Sequence, residues 1–262
     1  MRKLLILVLL ALTVTMQADQ LGVNEHAGAM VPLDLKFLDE EGKEVTLKQM
    51  MDGKPTMITL NYYRCAGICG PQLADMAKML TKLDLIENED YKVLTISFAE
   101  DEPVSLAKKK RAAYVSSITR TFNKDAWHFL IGENNSSGIL ADKVGFTFKK
   151  DITKEGLVSY VHPGTLIMLS PKGKVTRYLN GIGQLPFDVK MAVVEAGEGK
   201  VGPTIAKKLL FCFAYDPKGK TYIFKWEKVA GVVMTLIMLA FFVYLIMTSR
   251  RRDDNHQRKG EN

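Results

Sequence analysis

Two cysteines four residues apart, Cys65 and Cys69, carry the clearest chemical potential in this sequence. They follow a nearly continuous apolar run at 55–63, and Pro71 then opens a segment with helical spacing of apolar residues. Cysteines at such a strand-to-helix junction place both sulfurs near the first helical turn, where free N–H groups favour the thiolate. Thiolates bind metals and attack disulfides. The pair is therefore predicted to be a metal site or a redox dithiol, with a structural disulfide or two unrelated buried thiols as the plainer alternative.

The number of cysteine and histidine residues distinguishes between the kinds of metal site that this chain could form. A structural zinc site needs four ligands, which is difficult to assemble from three cysteines and four histidines in the whole chain. A redox dithiol needs no third ligand, whereas two thiolates and one imidazole suit copper(I). A thiol peroxidase is a further alternative, weakly suggested by Arg64 beside Cys65. A purely structural anchor would leave the paired thiols unexplained.

The four histidines differ in how well their positions in the sequence suit a third metal ligand. His162 precedes Pro163-Gly164 and a predicted strand at 165–170, and in a thioredoxin-like sheet that loop faces the cysteine motif. It is the preferred ligand, with an ordinary turn histidine as the alternative. His128 lies within a predicted strand and is expected to be structural, His26 falls in an N-terminal arm expected to be loosely attached, and His256 lies in the C-terminal tail.

The third cysteine and the nearby methionines are expected to serve packing. Cys212 matches no motif and is predicted to be a buried free thiol, with a resolving thiol or a bond to a partner chain as alternatives. Met57, Met76 and Met79 flank the cysteine motif, but their positions fit strand and helix packing, and we expect them in the core.

Strand and helix patterns alternate through residues 19–196 and predict an α/β domain with an N-terminal β-hairpin. The expected strands are 31–38, 44–47, 55–63, 91–98, 127–131, 165–170 and 175–179, and the expected helices follow Pro71 and span 103–117 and 136–145. The runs at 55–63 and 91–98 are apolar without alternation, which is typical of strands covered on both faces.

Two uncharged apolar segments predict export and membrane anchoring. The basic start and apolar run within 1–18 resemble a signal peptide, with an uncleaved short anchor as the alternative. Residues 229–247 would span about 28 Å as a helix, close to the thickness of a bilayer core. Arginines at 250–252 predict a cytoplasmic basic tail over 248–262, and 197–228 is expected to be a stalk or flap. The predicted location is the inner membrane, single-pass, with the main domain on the periplasmic side.

The net charge of +7 gives no indication of nucleic-acid binding. Two of the basic residues stand at 2–3, and 248–262 holds five basic and three acidic residues, which leaves +3 for the exported part. Nucleic-acid binding requires a concentrated basic face, and none is predicted.

The order of motifs over residues 28–195 resembles the SCO/SenC family. The matching segments are the Cys-x-x-x-Cys pair after a buried strand, 97–106, 127–132, 141–146, and Val161-His162 before an apolar strand and a Pro-x-Gly-Lys turn. The resemblance implies a thioredoxin-like domain that binds copper through two cysteines and one histidine, here Cys65, Cys69 and His162. It further implies assembly of the dinuclear copper centre of cytochrome c oxidase subunit II, by copper delivery or by reduction of that subunit's cysteine pair. A copper donor protein and a thiol reductant are the other implied partners.

Two features depart from the family pattern. The family commonly has proline directly after the second cysteine, whereas Gly70 stands there and proline follows at 71. This change would alter the helix start and thiol pKa. Family members are also usually anchored by an N-terminal helix, whereas here the predicted anchor is C-terminal.

Overall fold

The computed structural model describes residues 22–152 and 158–202, the backbone of Phe213–Asp216 and Thr221–Phe224, and four residues of the predicted membrane segment. Contacts divide the chain into two compact units, Met1–Thr204 and Ile205–Asn262. The first unit contains the cysteine motif.

Nine strands and five α-helices are described in the first unit. In chain order they are β1 (Lys36–Leu38), β2 (Glu44–Thr46), α1 (Leu47–Met51), β3 (Thr56–Asn61), α2 (Cys69–Lys82), β4 (Lys92–Ser97), α3 (Val104–Ser116), β5 (Trp127–Gly132), α4 (Ser136–Lys143), β6 (Lys149–Ile152), β7 (Val158–Val161), β8 (Thr165–Leu169), β9 (Val175–Asn180) and α5 (Pro186–Gly197). The second unit contributes an antiparallel pair, β10 (Phe213–Asp216) and β11 (Thr221–Phe224).

A seven-stranded sheet in the order β2-β1-β5-β4-β3-β8-β9 forms the centre of the first unit. Strands β3, β4 and β5 are parallel, β8 is antiparallel to β3, and β9 is antiparallel to β8. A β3-α2-β4 unit followed by β8-β9-α5 is the thioredoxin-like arrangement. The predicted α/β class and the N-terminal hairpin, formed by β1 and β2, are confirmed.

Side chains pack on both faces of the sheet. Every residue of β3 and β4 is buried, which explains why their sequences show no alternation of apolar and polar residues. Met57, Met76 and Met79 are 0%, 5% and 3% exposed within one of the two core clusters, so the prediction that they serve packing is confirmed.

Three features differ from the sequence-based expectation. The β6–β7 hairpin was not predicted, because all four residues of β6 are exposed and therefore show no apolar pattern. Helix α5 was not predicted either. The N-terminal arm is not loosely attached: the Asn24 N–H donates to the Gly145 carbonyl at 2.8 Å and the Gly28 N–H to the Val175 carbonyl at 2.7 Å. Backbone hydrogen bonds of this kind leave little trace in side-chain patterns.

The predicted leader, membrane segment and tail lie largely outside the described residues. Within the part of the chain that the structure describes, none of the helices has the length and apolar character that crossing a bilayer requires. Of 229–247, four residues are described, and each is helical and exposed: Met234, Ile237, Met238 and Phe241. Residues 1–18 and 248–262 are not described.

Candidate metal centre

The cysteine motif connects the carboxyl end of β3 to the amino end of α2. Cys65 lies in the connecting loop, and Cys69 is the first residue of the helix. Pro71 stands in the first turn, where its missing N–H costs no helical hydrogen bond. Gly70 therefore occupies the second helical position, and the helix still begins at the second cysteine.

A buried carboxylate fixes the loop that leads to Cys65. The backbone N–H groups of Tyr63 and Arg64 donate to Glu102 Oε2 and Oε1 at 2.7 and 2.6 Å, and the Ser97 hydroxyl donates to Oε2 at 2.7 Å. The Glu102 side chain is 0% exposed. Sequence reasoning missed this residue, because it ends an acidic run, 100–102, that has the appearance of a solvated loop.

His162 lies in the short connection between β7 and β8, and its ring is oriented by a backbone carbonyl. The ring Nδ1 is 3.0 Å from the Pro163 carbonyl oxygen. Because a carbonyl oxygen can only accept, Nδ1 donates to it, and Nε2 is the ring nitrogen left to face the cysteines. Nε2 is 3.0 Å from the Sγ of Cys69. The ring is thus oriented with Nε2 toward the cysteines, as a metal ligand would be.

Aromatic side chains enclose the imidazole. The rings of Tyr62 and Phe98 meet it edge-on at centroid distances of 5.9 and 5.4 Å, and Phe146 lies at 6.1 Å. His162 is 8% exposed as a result. Tyr62 and Phe98 directly follow the parallel strands β3 and β4, and the common edge at which parallel strands end was the signal that could have identified them.

The three predicted ligands come together. One ligand atom from each of Cys65, Cys69 and His162 lies within 4.8 Å of the other two, and both cysteines are free thiols. Cys65 is partly exposed, whereas Cys69 and His162 are buried. This arrangement offers two soft sulfurs and one nitrogen to a metal ion that approaches from the side of Cys65.

The two thiols differ in acidity. The pKa of the Cys65 thiol is lowered to about 3. The hydrogen bond from Cys69 is the largest cause, burial opposes it, and hydrogen bonds from His162 and from the Gly67 N–H, 3.3 Å from the Cys65 sulfur, add to the lowering. The same hydrogen bond and burial raise the pKa of Cys69. The partly exposed Cys65 is therefore the thiolate, and Cys69 is its protonated partner.

The other candidates do not join this group. His128 holds the Glu40 carboxylate with Nδ1 at 3.2 Å and the Asp125 carbonyl with Nε2 at 3.0 Å, which confirms its structural role. The His26 Nδ1 is 3.2 Å from the Lys143 carbonyl. Cys212 and His256 lie outside the described residues.

Arg64, whose position beside Cys65 weakly suggested a thiol peroxidase, is paired with acidic side chains. Its guanidinium group lies 2.6 Å from Asp101 and 3.5 Å from Glu102. The structure thus supplies a structural role for this arginine.

The domain that carries this site is similar to known proteins in sequence and in fold. The SCO1/SenC family profile matches residues 25–187. A SCO1 protein homolog of Bacillus subtilis is 30% identical over 155 residues, which cover 58% of this chain and 75% of the relative. The fold matches that of Arabidopsis thaliana ScoI, solved with copper bound, at a TM-score of 0.50 and 18% identity, over 63% of this chain and 96% of the other. It also matches BsSco, a member of the Sco family of cytochrome c oxidase assembly proteins in which a disulfide switch was identified, at a TM-score of 0.50 and 23% identity, over 67% and 98%. The chain belongs to the SCO1/SenC family.

Proposed function

We propose that this protein is a membrane-anchored copper metallochaperone that assists assembly of the dinuclear copper centre of cytochrome c oxidase subunit II. The observation that carries the proposal is the juxtaposition of Cys65, Cys69 and the Nε2 of His162 within 4.8 Å. Family membership and the copper-bound relative support copper as the metal.

The three residues contribute differently to holding and releasing this cargo. Cys69 and His162 are buried and oriented, so they retain the ion, whereas Cys65 is partly exposed and can be replaced by a thiolate of the acceptor. Exchange of one ligand at a time keeps the ion coordinated throughout transfer. A copper donor protein would load the site by the same exchange in reverse.

A thiol-disulfide oxidoreductase is the second candidate, favoured by the lowered pKa of Cys65. The Cys65 thiolate would attack a disulfide of the oxidase subunit, forming a mixed disulfide and releasing one acceptor thiolate. Cys69 would then lose its proton and attack the Cys65 sulfur, which releases the second thiolate. The acceptor gains two electrons, this protein becomes a Cys65–Cys69 disulfide, and a thiol reductant must restore it.

The proposal places the site-bearing domain on the periplasmic face of the inner membrane. The support is the uncharged segment 229–247 followed by three arginines, together with the apolar N-terminal segment. A single C-terminal anchor would hold the domain beside a membrane-bound oxidase.

Copper stoichiometry and disulfide reduction together test the proposal. Full-length protein in detergent, fully reduced, is titrated with copper(I) under a competing chelator, and reduction of a peptide disulfide is measured in parallel. Wild type is expected to bind one copper per chain, and His162→Ala to bind it at least about tenfold more weakly. A wild type that binds no copper but reduces disulfides would contradict the metallochaperone and leave the oxidoreductase.

A further inference from the structure

A groove between α2 and α3 opens beside the metal centre. Its volume is about 560 Å³, and it is lined by both helices and by the loop before Cys65. The lining residues that matter here are Tyr63, Arg64, Leu106, Lys109, Lys110 and Tyr114. A space of this size accommodates several amino-acid residues.

One end of the groove lies at the cysteine motif. Arg64 is the immediate neighbour of Cys65. The Tyr114 hydroxyl reaches the first turn of α2, since a Cβ built on Gly70 would lie 3.8 Å from it. A chain lying in the groove would therefore run toward the partly exposed sulfur of Cys65.

The charge of the groove is one-sided. Among the described residues that line it, three are basic and none is acidic. Arg64 is paired with Asp101 and Glu102, but within the described part of the chain neither Lys109 nor Lys110 forms an ion pair. These two ammonium groups can attract an incoming anion.

The floor of the groove is apolar and aromatic. Leu106 and Ala113 line it together with Tyr114, whose ring lies parallel to that of Phe129 at 6.3 Å. An apolar, aromatic floor beside the exposed Lys109 and the half-buried Lys110 suits a peptide, which offers side chains and backbone as well as charge. A free anion would use the lysines alone.

We propose that this groove docks an acidic polypeptide segment of the acceptor and directs the acceptor's cysteines to Cys65. The inference rests on the proposed function and adds the chemistry of the partner. Attraction between the lysines and acidic side chains speeds the encounter, and the short range of screened charges allows rapid release. A transient complex of this kind is what repeated delivery requires.

Charge reversal in the full-length protein in detergent tests the proposal. The variant Lys109→Glu/Lys110→Glu is compared with Lys43→Glu/Lys172→Glu, which makes the same change in charge at two exposed turns away from the groove. The probes are three fluorescent peptides of equal length, each with two cysteines in a disulfide, whose remaining polar residues are acidic, amide or basic. Binding is measured by anisotropy at about 0.02 M and about 0.3 M salt, where the screening length differs severalfold.

The acidic peptide should bind wild type most tightly. The groove variant should weaken that binding about tenfold at low salt and less than about threefold at high salt, whereas the control variant changes it less than about twofold. Equal loss in both variants, or equal binding of all three peptides, would overturn the proposal. Displacement of the acidic peptide by excess succinate would show that the groove binds small anions. Self-association of the protein that Lys109→Glu/Lys110→Glu abolishes would show that the groove binds a second copy of this chain. Either result would overturn the proposal.

Copper titration of the same samples separates this inference from the proposed function. The groove variant should bind copper as wild type does, because neither lysine belongs to the metal centre. Failure of wild type to bind copper would refute the proposed function, whereas the peptide measurements report on docking whether or not copper is bound.

Discussion

Removal of the Glu102 carboxylate should destabilise the loop that positions Cys65. In Glu102→Ala, the N–H groups of Tyr63 and Arg64 and the Ser97 hydroxyl lose their acceptor. A hydrogen bond to a charged group contributes about 1.5–3 kcal/mol, and water reaches part of the loop because Arg64 is exposed. We therefore expect the free energy of unfolding to fall by about 3–5 kcal/mol, a large share of the stability of a typical domain.

Glu102→Gln retains the volume and one oxygen, and its loss should be intermediate, about 1.5–3 kcal/mol. The assay is urea unfolding of the metal-free full-length protein in detergent, followed by tryptophan fluorescence. Glu89→Gln, at an exposed site, is the matched control and should change stability by less than about 0.5 kcal/mol. A loss below about 1 kcal/mol in Glu102→Ala would show that the loop does not depend on this carboxylate.

Three further predictions concern the thiols, pH and backbone space. Iodoacetamide at pH near 6 should label Cys65 well before Cys69 by peptide mass spectrometry, because Cys65 has a pKa of about 3 and partial exposure; the reverse order would refute the assigned asymmetry. Burial raises the pKa of Glu40, but the hydrogen bond from His128 and the positive charge of Arg111 outweigh burial, so the pKa lies below its ordinary value of 4.5. Because the pKa of Glu40 is lower in the folded state, its ionised carboxylate stabilises the fold above the unfolded-state pKa, and this contribution is lost as pH falls through the folded-state pKa. The free energy of unfolding, measured as a function of pH, should therefore drop below about pH 4.5, and Glu40→Gln should reduce that drop. A pH profile unchanged in Glu40→Gln would contradict this. Gly132→Ala should cost about 2–3 kcal/mol in urea unfolding, since its Cβ would overlap a neighbouring serine side chain, whereas Gly70→Ala has room and should stabilise by about 0.4–1 kcal/mol; equal effects would refute the packing at these sites.

The sequence predicted the site because its ligands combine local and topological information. Cys65 and Cys69 are close in sequence, and the order of strands implies that the loop before β8 reaches the end of β3. His162 could therefore be chosen among four histidines without coordinates. The orientation of the His162 ring could not be predicted, because it depends on a single contact between Nδ1 and the Pro163 carbonyl.

The missed features share a different physical origin. Glu102 is buried because its carboxylate accepts hydrogen bonds from backbone N–H groups of another loop, and its residue type does not predict that burial. The strand β6 is exposed on all sides, so it lacks the period that marks a strand. In both cases backbone hydrogen bonds, which carry no residue-type signature, determine the structure.

X-ray absorption of the copper(I)-loaded full-length protein tests the central claim most directly. We expect a single site with two sulfur ligands and one nitrogen ligand in wild type. The nitrogen should be lost in His162→Ala and one sulfur in Cys65→Ser, whereas His128→Ala should leave the spectrum unchanged. Retention of the nitrogen in His162→Ala, or a wild-type spectrum with sulfur ligands alone, would contradict the assignment of these three residues to one metal centre.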